Sequence, residues 1–429
     1  MCNTYKEMER LRKFFKSLGP GLVSGASDDD PSGIATYMQA GAAFGLGLLW
    51  TLVLTLPLMI AVQEASARLA LVTKHGYVKN LKGRVWAPLL WIGVALFACV
   101  NMFNLGADLE FMAASASMLY PLPNWLWLSI FVATTLLLQI FLTYKQYAKY
   151  LKWLCLFLLA YVAVAFTIKI DWPAVAYATF VPSFQLTSEF GLLFAVLGTT
   201  ISPYLMVWQA AQEVEQDKQD LVDGCGGNEE HSTKTCNIDD QLHVRRMDVG
   251  IGMTASNVVA WFIIVTAAFV LSAHGIHEIT SPAEAALVLE PIAGKYAFLL
   301  FTVGIIGTGL LAVPILSGSA AYAIASVTGL KRYGLSKTWR QAPVFYLILI
   351  AVTLAGALSA SFGLNPVRAL IYAALGNALL APVLILSIIL LTSNKKLMGR
   401  FVNGRVSTVL LWMTFSIMSA AILFWFILN

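Results

Sequence analysis

The chain has 429 residues, 59% of them hydrophobic and only 12% charged, with a mean hydropathy of +0.74. Soluble domains carry about 25% charged residues, so this composition excludes an ordinary globular or disordered chain and indicates a polytopic membrane protein. The net charge of +5 follows the topology set out below, and nothing in it points to nucleic acid.

The N-terminal residues Lys6, Arg10, Arg12, Lys13 and Lys16 precede a long apolar segment with no small-residue cleavage pattern, which predicts an uncleaved first helix. Apolar runs long enough to span predict eleven helices, near 18–45, 47–73, 86–119, 124–143, 151–170, 188–212, 247–273, 296–328, 343–361, 366–392 and 406–428. Basic residues concentrate at the N-terminus and in the connections after even-numbered helices. The odd-numbered connections hold only Lys169 and Lys295, both close to helix ends. The positive-inside rule then places the N-terminus in the cytoplasm and the C-terminus outside, in a multi-pass protein of the cell membrane. The expected organisation is a cytoplasmic segment at 1–17, a core at 18–392 with halves at 18–170 and 188–392, a cytoplasmic loop at 213–246, and a linker with the last helix at 393–429.

The first helix is interrupted by Asp28, Asp29, Asp30, Pro31, Ser32 and Gly33. One charge at the bilayer centre costs at least about 2.5 kcal/mol, so three adjacent carboxylates need a cation, protons or water. Pro31 removes a backbone donor and disfavours helical geometry at Asp30, so the helix breaks where its charge sits. Backbone freed at such a depth must line a cavity or be buried in protein. Carbonyls beside a carboxylate make a cation site of the kind that recurs in secondary transporters.

The sixth helix is interrupted in the same way: apolar Phe190 to Gly198 gives way to Thr199, Thr200, Ile201, Ser202, Pro203 and Tyr204, and the helix resumes to Gln209. Breaks at corresponding positions of two halves point to an inverted-repeat transporter, with helices one to five and six to ten as the repeats and the eleventh appended.

At these residues the sequence resembles the NRAMP family of divalent-metal transporters. Gly19, Pro20 and Gly21, then Asp30 and Pro31, then Ile34, Ala35, Thr36, Gln39, Ala40 and Gly41 are similar to that family's first helix with its DPGN motif. The resemblance implies an all-α, LeuT-type fold, alternating access, no enzymatic activity, no cofactor, and a divalent cation as substrate. Asp30 takes the place of the metal-binding aspartate, and Ser27 and Thr199 those of the residues offering backbone carbonyls. Gly33 stands where the family has a liganding Asn. Ser202, Pro203 and Tyr204 stand where it has Met-Pro-His. A donor set without thioether favours Mg²⁺ or Mn²⁺ over softer metals, and the two shortened side chains leave room for a cation that keeps water. This looks like the magnesium-transporting branch of the family.

The expected metal set is therefore Asp30, Ser27, Asp29, Gly33, Thr199 and Ser202. Asp28, Asn104, Asp108, Tyr204, Gln209 and Asn377 form a second set for protons or a vestibule. Asn101, Asn104 and Asp108 share one helix face. The family's helix-nine arginines have no equivalent between Pro343 and Phe362, which puts H⁺ as a coupled ion in doubt. Glu64 and Arg68 read as an i, i+4 salt bridge. Glu213 and Glu215 read as a cation-drawing vestibule, and His274, His277 and Glu278 as an interfacial turn. Cys2, Cys99, Cys155, Cys225 and Cys236 are scattered and imply no disulfide framework, and Cys225, His231 and Cys236 match no zinc-finger spacing.

The lipid bilayer and the cation are the expected partners, with no protein partner evident. The rival reading is a Na⁺- or H⁺-coupled symporter of a small organic solute with the same fold. HExxH, GxSxG and P-loop motifs are absent from the sequence.

Overall fold

The computed structural model describes residues 20–142, 146, 157–183, 190–224 and 238–428. Among these the only β feature is an isolated bridge between Lys82 and Val85. The first predicted span is two helices, α1 (Pro20–Asp28) and α2 (Pro31–Phe44). They are followed by α3 (Trp50–Thr73), α4 (Ala87–Leu119), α5 (Asn124–Phe141), α6 (Leu159–Thr167) and α7 (Trp172–Phe180). The second interrupted segment is α8 (Phe190–Thr200) and α9 (Pro203–Gly224). Then come α10 (Ile238–Ala273), α11 (Ala297–Thr328), α12 (Pro343–Ala360), α13 (Pro366–Thr392) and α14 (Arg405–Leu428). Among the described residues, nine helical stretches are long and apolar enough to cross a membrane. The two halves of the first span are each too short to be counted alone, and of the fifth predicted span only residues 157–170, with α6, fall within the described residues.

Both interruptions have the same local cause. Asp30 is the N-cap of α2, with extended backbone at φ −71° and ψ 169°, and Pro31 occupies the first helical position. A capping carboxylate followed by Pro is a helix start, because Pro lacks only a donor that would be unpaired there in any case. The second break repeats the device, with Pro203 opening α9 after Ile201 and Ser202.

Two boundaries differ from the sequence expectation. The helix after Pro203 continues past Gln212 to Gly224, and α10 begins at Ile238 rather than 247. Hydropathy finds only the apolar part of such helices. Their polar turns are held by side-chain pairs, among them Arg245 with Glu213 at 2.8 Å and Lys74 with Asp217 at 2.7 Å. Helix α7 was not expected either, since nine residues are too few to register as a span. Residues 225–237, with Cys225, His231 and Cys236, lie outside the described residues.

Helix α10 runs alongside both halves of the first broken helix. The approach is backbone to backbone: a Cβ at Gly25 would lie 2.2 Å from the Gly252 carbonyl oxygen, and one at Gly41 would lie 2.4 Å from that of Ile264. Small residues at such crossings let membrane helices gain van der Waals contact where no hydrophobic force drives them together. Helix α13 packs on α2 and α8, and Ser32 Oγ of α2 donates to the Leu370 carbonyl at 3.1 Å. The outward faces of α12 and α14 expose Leu347, Leu354, Leu358, Val406 and Val409, as lipid-facing helices do.

Candidate metal centre

The two breaks face each other in the interior. Asp30 is 2% exposed. Its Oδ1 accepts from the Gly33 amide at 2.6 Å, and its Oδ2 accepts from the Tyr204 hydroxyl at 3.0 Å. The Tyr204 hydroxyl also lies 3.3 Å from the Ser27 carbonyl. Tyr204 therefore ties the Asp30 carboxylate and the Ser27 carbonyl of the first break to the first turn of α9.

The breaks approach most closely at Gly33. A Cβ there would sit 3.1 Å from the Asp28 carbonyl oxygen, 3.2 Å from Thr199 Oγ1 and 3.4 Å from Asp30 Oδ1, tighter than ordinary contact. A carboxylate, a carbonyl and a hydroxyl thus gather around a glycine that admits no side chain without a shift of its neighbours. The Thr199 carbonyl accepts from Ser202 Oγ at 2.5 Å, so Ser202 braces the break of the second segment. Tyr37, fully buried on α2, joins its hydroxyl to Thr200 Oγ1 at 3.0 Å and closes the contact above.

Asp28 and Asp29 turn to α10, where one hydroxyl, Ser256 Oγ, lies 3.1 Å from both Asp28 Oδ2 and Asp29 Oδ1. A serine has a single proton to donate, so it cannot fully serve both oxygens. Asp28 Oδ1 is buried and has no hydrogen-bond partner. Among the described residues no three His, Cys, Asp or Glu side chains are arranged to hold a metal ion. The site is one carboxylate among neutral oxygens rather than a carboxylate cage.

Beneath it a buried polar chain joins three helices. Ser24 Oγ donates to Gln209 Oε1 at 2.6 Å, Gln209 Nε2 donates to Glu213 Oε1 at 2.7 Å, and Arg245 Nε pairs with Glu213 Oε2 at 2.8 Å. The Gly21 amide, an otherwise unpaired donor at the start of α1, reaches Asp248 Oδ2 at 2.8 Å. Gln209 is thus committed to this chain. Of the two glutamates expected in a vestibule, Glu213 is fully buried and ion-paired, while Glu215 lines a cavity of about 430 Å³ and accepts from the Tyr322 hydroxyl at 2.6 Å and the Ser336 amide at 2.8 Å.

Sequence reasoning missed Ser256, Asp248 and Arg245. The signal was present: Asp248, Gly252 and Ser256 recur every fourth residue, a stripe that faces α1 from an apolar helix.

Of the other expected residues, Asp108 is fully buried on α4. Asn104, one turn away, has neither end of its amide paired, and the Asn377 carbonyl oxygen on α13 is likewise unpaired. Asn101 is held by Ser319 at 3.0 Å and Glu110 by Asn124 at 2.5 Å. Arg68 meets Glu64 at 3.2 Å, as expected from their spacing. In the turn after α10, His274 Nε2 faces Glu290 at 3.4 Å, while Glu278 pairs with Arg368 at 3.0 Å.

The family model described as "Natural resistance-associated macrophage protein-like" matches residues 21–428. A divalent metal cation transporter MntH of Caldanaerobacter subterraneus subsp. tengcongensis is 25% identical over 420 residues, 95% of this chain and 91% of the relative. One from Yersinia pestis is 26% identical over 408 residues, 93% of this chain and 92% of the relative. In structure, the chain is similar to the Eremococcus coleocola manganese transporter, with TM-score 0.73 and 19% identity over 96% of this chain and 86% of that one. It is also similar to Mhp1, a nucleobase-cation-symport-1 family transporter, with TM-score 0.56 and 13% identity over 95% of this chain and 91% of that one. A family match that spans both broken helices and every helix after them places this chain in the Nramp family of integral membrane proteins.

Proposed function

We propose that the chain is a transporter of hard divalent cations, Mg²⁺ and Mn²⁺ before softer metals, working by alternating access in a membrane. The observation that carries this reading is the pair of helix breaks set against each other, with Asp30 Oδ1, the Asp28 carbonyl and Thr199 Oγ1 gathered around Gly33. Oxygen donors of this kind suit Mg²⁺ and Mn²⁺, whereas thioether sulfur selects softer ions. The relatives named as divalent metal cation transporters support the cation class.

In this reading eleven helices form two inverted repeats and an appended helix, with the N-terminus cytoplasmic. One bundle rocks against the other so that Asp30 meets each side in turn. The metal is substrate, with Asp30, Ser27, Gly33, Thr199 and Ser202 around it, while Asp29, expected in this set, is turned to Ser256 on α10. Asp108, Asn104 and Asn377 line a polar stripe that leads away.

The test is Mg²⁺ and Mn²⁺ uptake into proteoliposomes with internal pH recorded in the same vesicles. Entry of both ions at constant pH supports facilitative transport. Entry with acidification makes protons a coupled ion carried by Asp108 or the extra aspartates. Flux that appears only with an organic solute supports the symporter of the same fold and overturns the metal reading.

A further inference from the structure

A cavity of about 890 Å³ lies away from the metal centre, between α3, the first turns of α10 and the start of α14. Its walls divide by chemistry along α3 and α14. At one end are Arg68, Arg246, Arg400 and Arg405 with Glu64 and Asp239, so arginines outnumber carboxylates four to two. About one to three turns away along those helices the lining includes Pro57, Ile60, Ala61 and Leu410, with no charge among them. From Arg68 to Pro57 along α3 is about 16 Å at ~1.5 Å per residue, close to the depth of one leaflet of a hydrocarbon core about 30 Å thick.

The charges at the arginine end are not all used internally. Arg68 is committed to Glu64, to the Phe401 carbonyl at 2.8 Å and to Asn403 at 2.8 Å. Arg246 also leans on Glu64, at 3.2 Å, and Arg400 pairs with Asp239 at 2.6 Å while lying over the Phe401 ring. Arg405 is exposed and has no ion-pair partner among the described residues, and the pairs of Arg246 and Arg400 are themselves more than half exposed on the arginine side. Basic pockets between membrane helices bind lipid headgroups, and each arginine near the surface adds about 1 kcal/mol of attraction to acidic lipid.

We propose that this cavity is a binding site for an acidic phospholipid, whose phosphate is met by Arg246, Arg400 and Arg405 and whose acyl chain lies along Pro57, Ile60 and Leu410. The cavity's apolar depth requires a tail as well as an anion, which excludes a soluble phosphate as its proper occupant. The bound lipid bridges α3 and α10, which flank the broken helices, to α14.

The test uses the full-length protein in a neutral detergent and reads the thermal unfolding midpoint. It is titrated with short-chain phosphatidylglycerol, with phosphatidylcholine of the same chains, and with glycerol phosphate. Phosphatidylglycerol is expected to raise the midpoint saturably, with the other two ineffective at equal concentration. Arg405→Gln raises the phosphatidylglycerol concentration needed about fivefold, equivalent to about 1 kcal/mol. Arg400→Gln combined with it raises the requirement further, whereas Lys331→Gln, on another part of the bundle, leaves the curve unchanged. An equal response to phosphatidylcholine, a response to glycerol phosphate alone, or an unchanged curve for Arg405→Gln overturns the proposal. Failure here leaves the metal centre untouched, since none of these residues lies in it.

Discussion

In the proposed site, Gly33 and Ser202 are the positions where a side chain would change the donor set. Gly33→Asn brings an amide among the Asp28 carbonyl, Thr199 Oγ1 and Asp30 Oδ1, which must shift to admit even its Cβ. Together with Ser202→Met it adds an amide and a thioether to an all-oxygen set. The expected outcome is a gain for soft metals at the expense of hard ones, read as Cd²⁺ competing more strongly, and Mg²⁺ less, in a Mn²⁺ uptake assay. A second expectation concerns Ser256, which serves two buried carboxylates from α10. Ser256→Ala leaves both oxygens without that donor and costs about 1–3 kcal/mol, read as a lowered unfolding midpoint in metal-free detergent. Asp30 and Gly33 were legible in the sequence because charge and Pro in an apolar helix have no structural excuse. Ser256 was not, because its importance lies in facing Asp28 and Asp29 across more than two hundred residues, and a serine in a membrane helix is unremarked until its neighbour is known.

At the scale of the helix, α1, the N-terminal half of the first broken segment, is fastened twice. Its backbone meets α10 at Gly25 and Gly252, and its Ser24 enters the buried chain through Gln209 and Glu213 to Arg245. Gly25→Ala drives a Cβ into the Gly252 carbonyl and costs roughly 1–3 kcal/mol through overpacking, seen as loss of thermal stability. Arg245→Leu strands the Glu213 carboxylate, buried with 0% of its side chain exposed. Removing one partner of such a pair costs about 3–5 kcal/mol, and a second change, Glu213→Leu, is expected to recover part of it. The positions of the long helices were readable from hydropathy, since length and apolar character alone define a span. The polar ends of α9 and α10 were not, because Glu213, Asp217 and Arg245 look like a solvated loop until their partners are in place. Gln209 was read as cavity-facing for the same reason: its spacing from Ser202 gives a helix face but does not say that Ser24 and Glu213 occupy it.

For the whole molecule, two interrupted helices set their breaks against each other inside a bundle of spans. The likeness to transporters at 19% and 13% identity shows that the overall fold is shared across wide sequence change. The central claim is that Asp30, N-cap of α2 and partner of Tyr204, is the charge that holds a divalent cation. The direct test is Mg²⁺ and Mn²⁺ uptake into proteoliposomes by the parent protein and by Asp30→Ala, both confirmed as folded by their elution and unfolding midpoint. The account predicts that the parent takes up both ions and that Asp30→Ala takes up neither above the rate of empty vesicles. Uptake by Asp30→Ala at the parent's rate, or no divalent flux by the parent under any gradient, contradicts it.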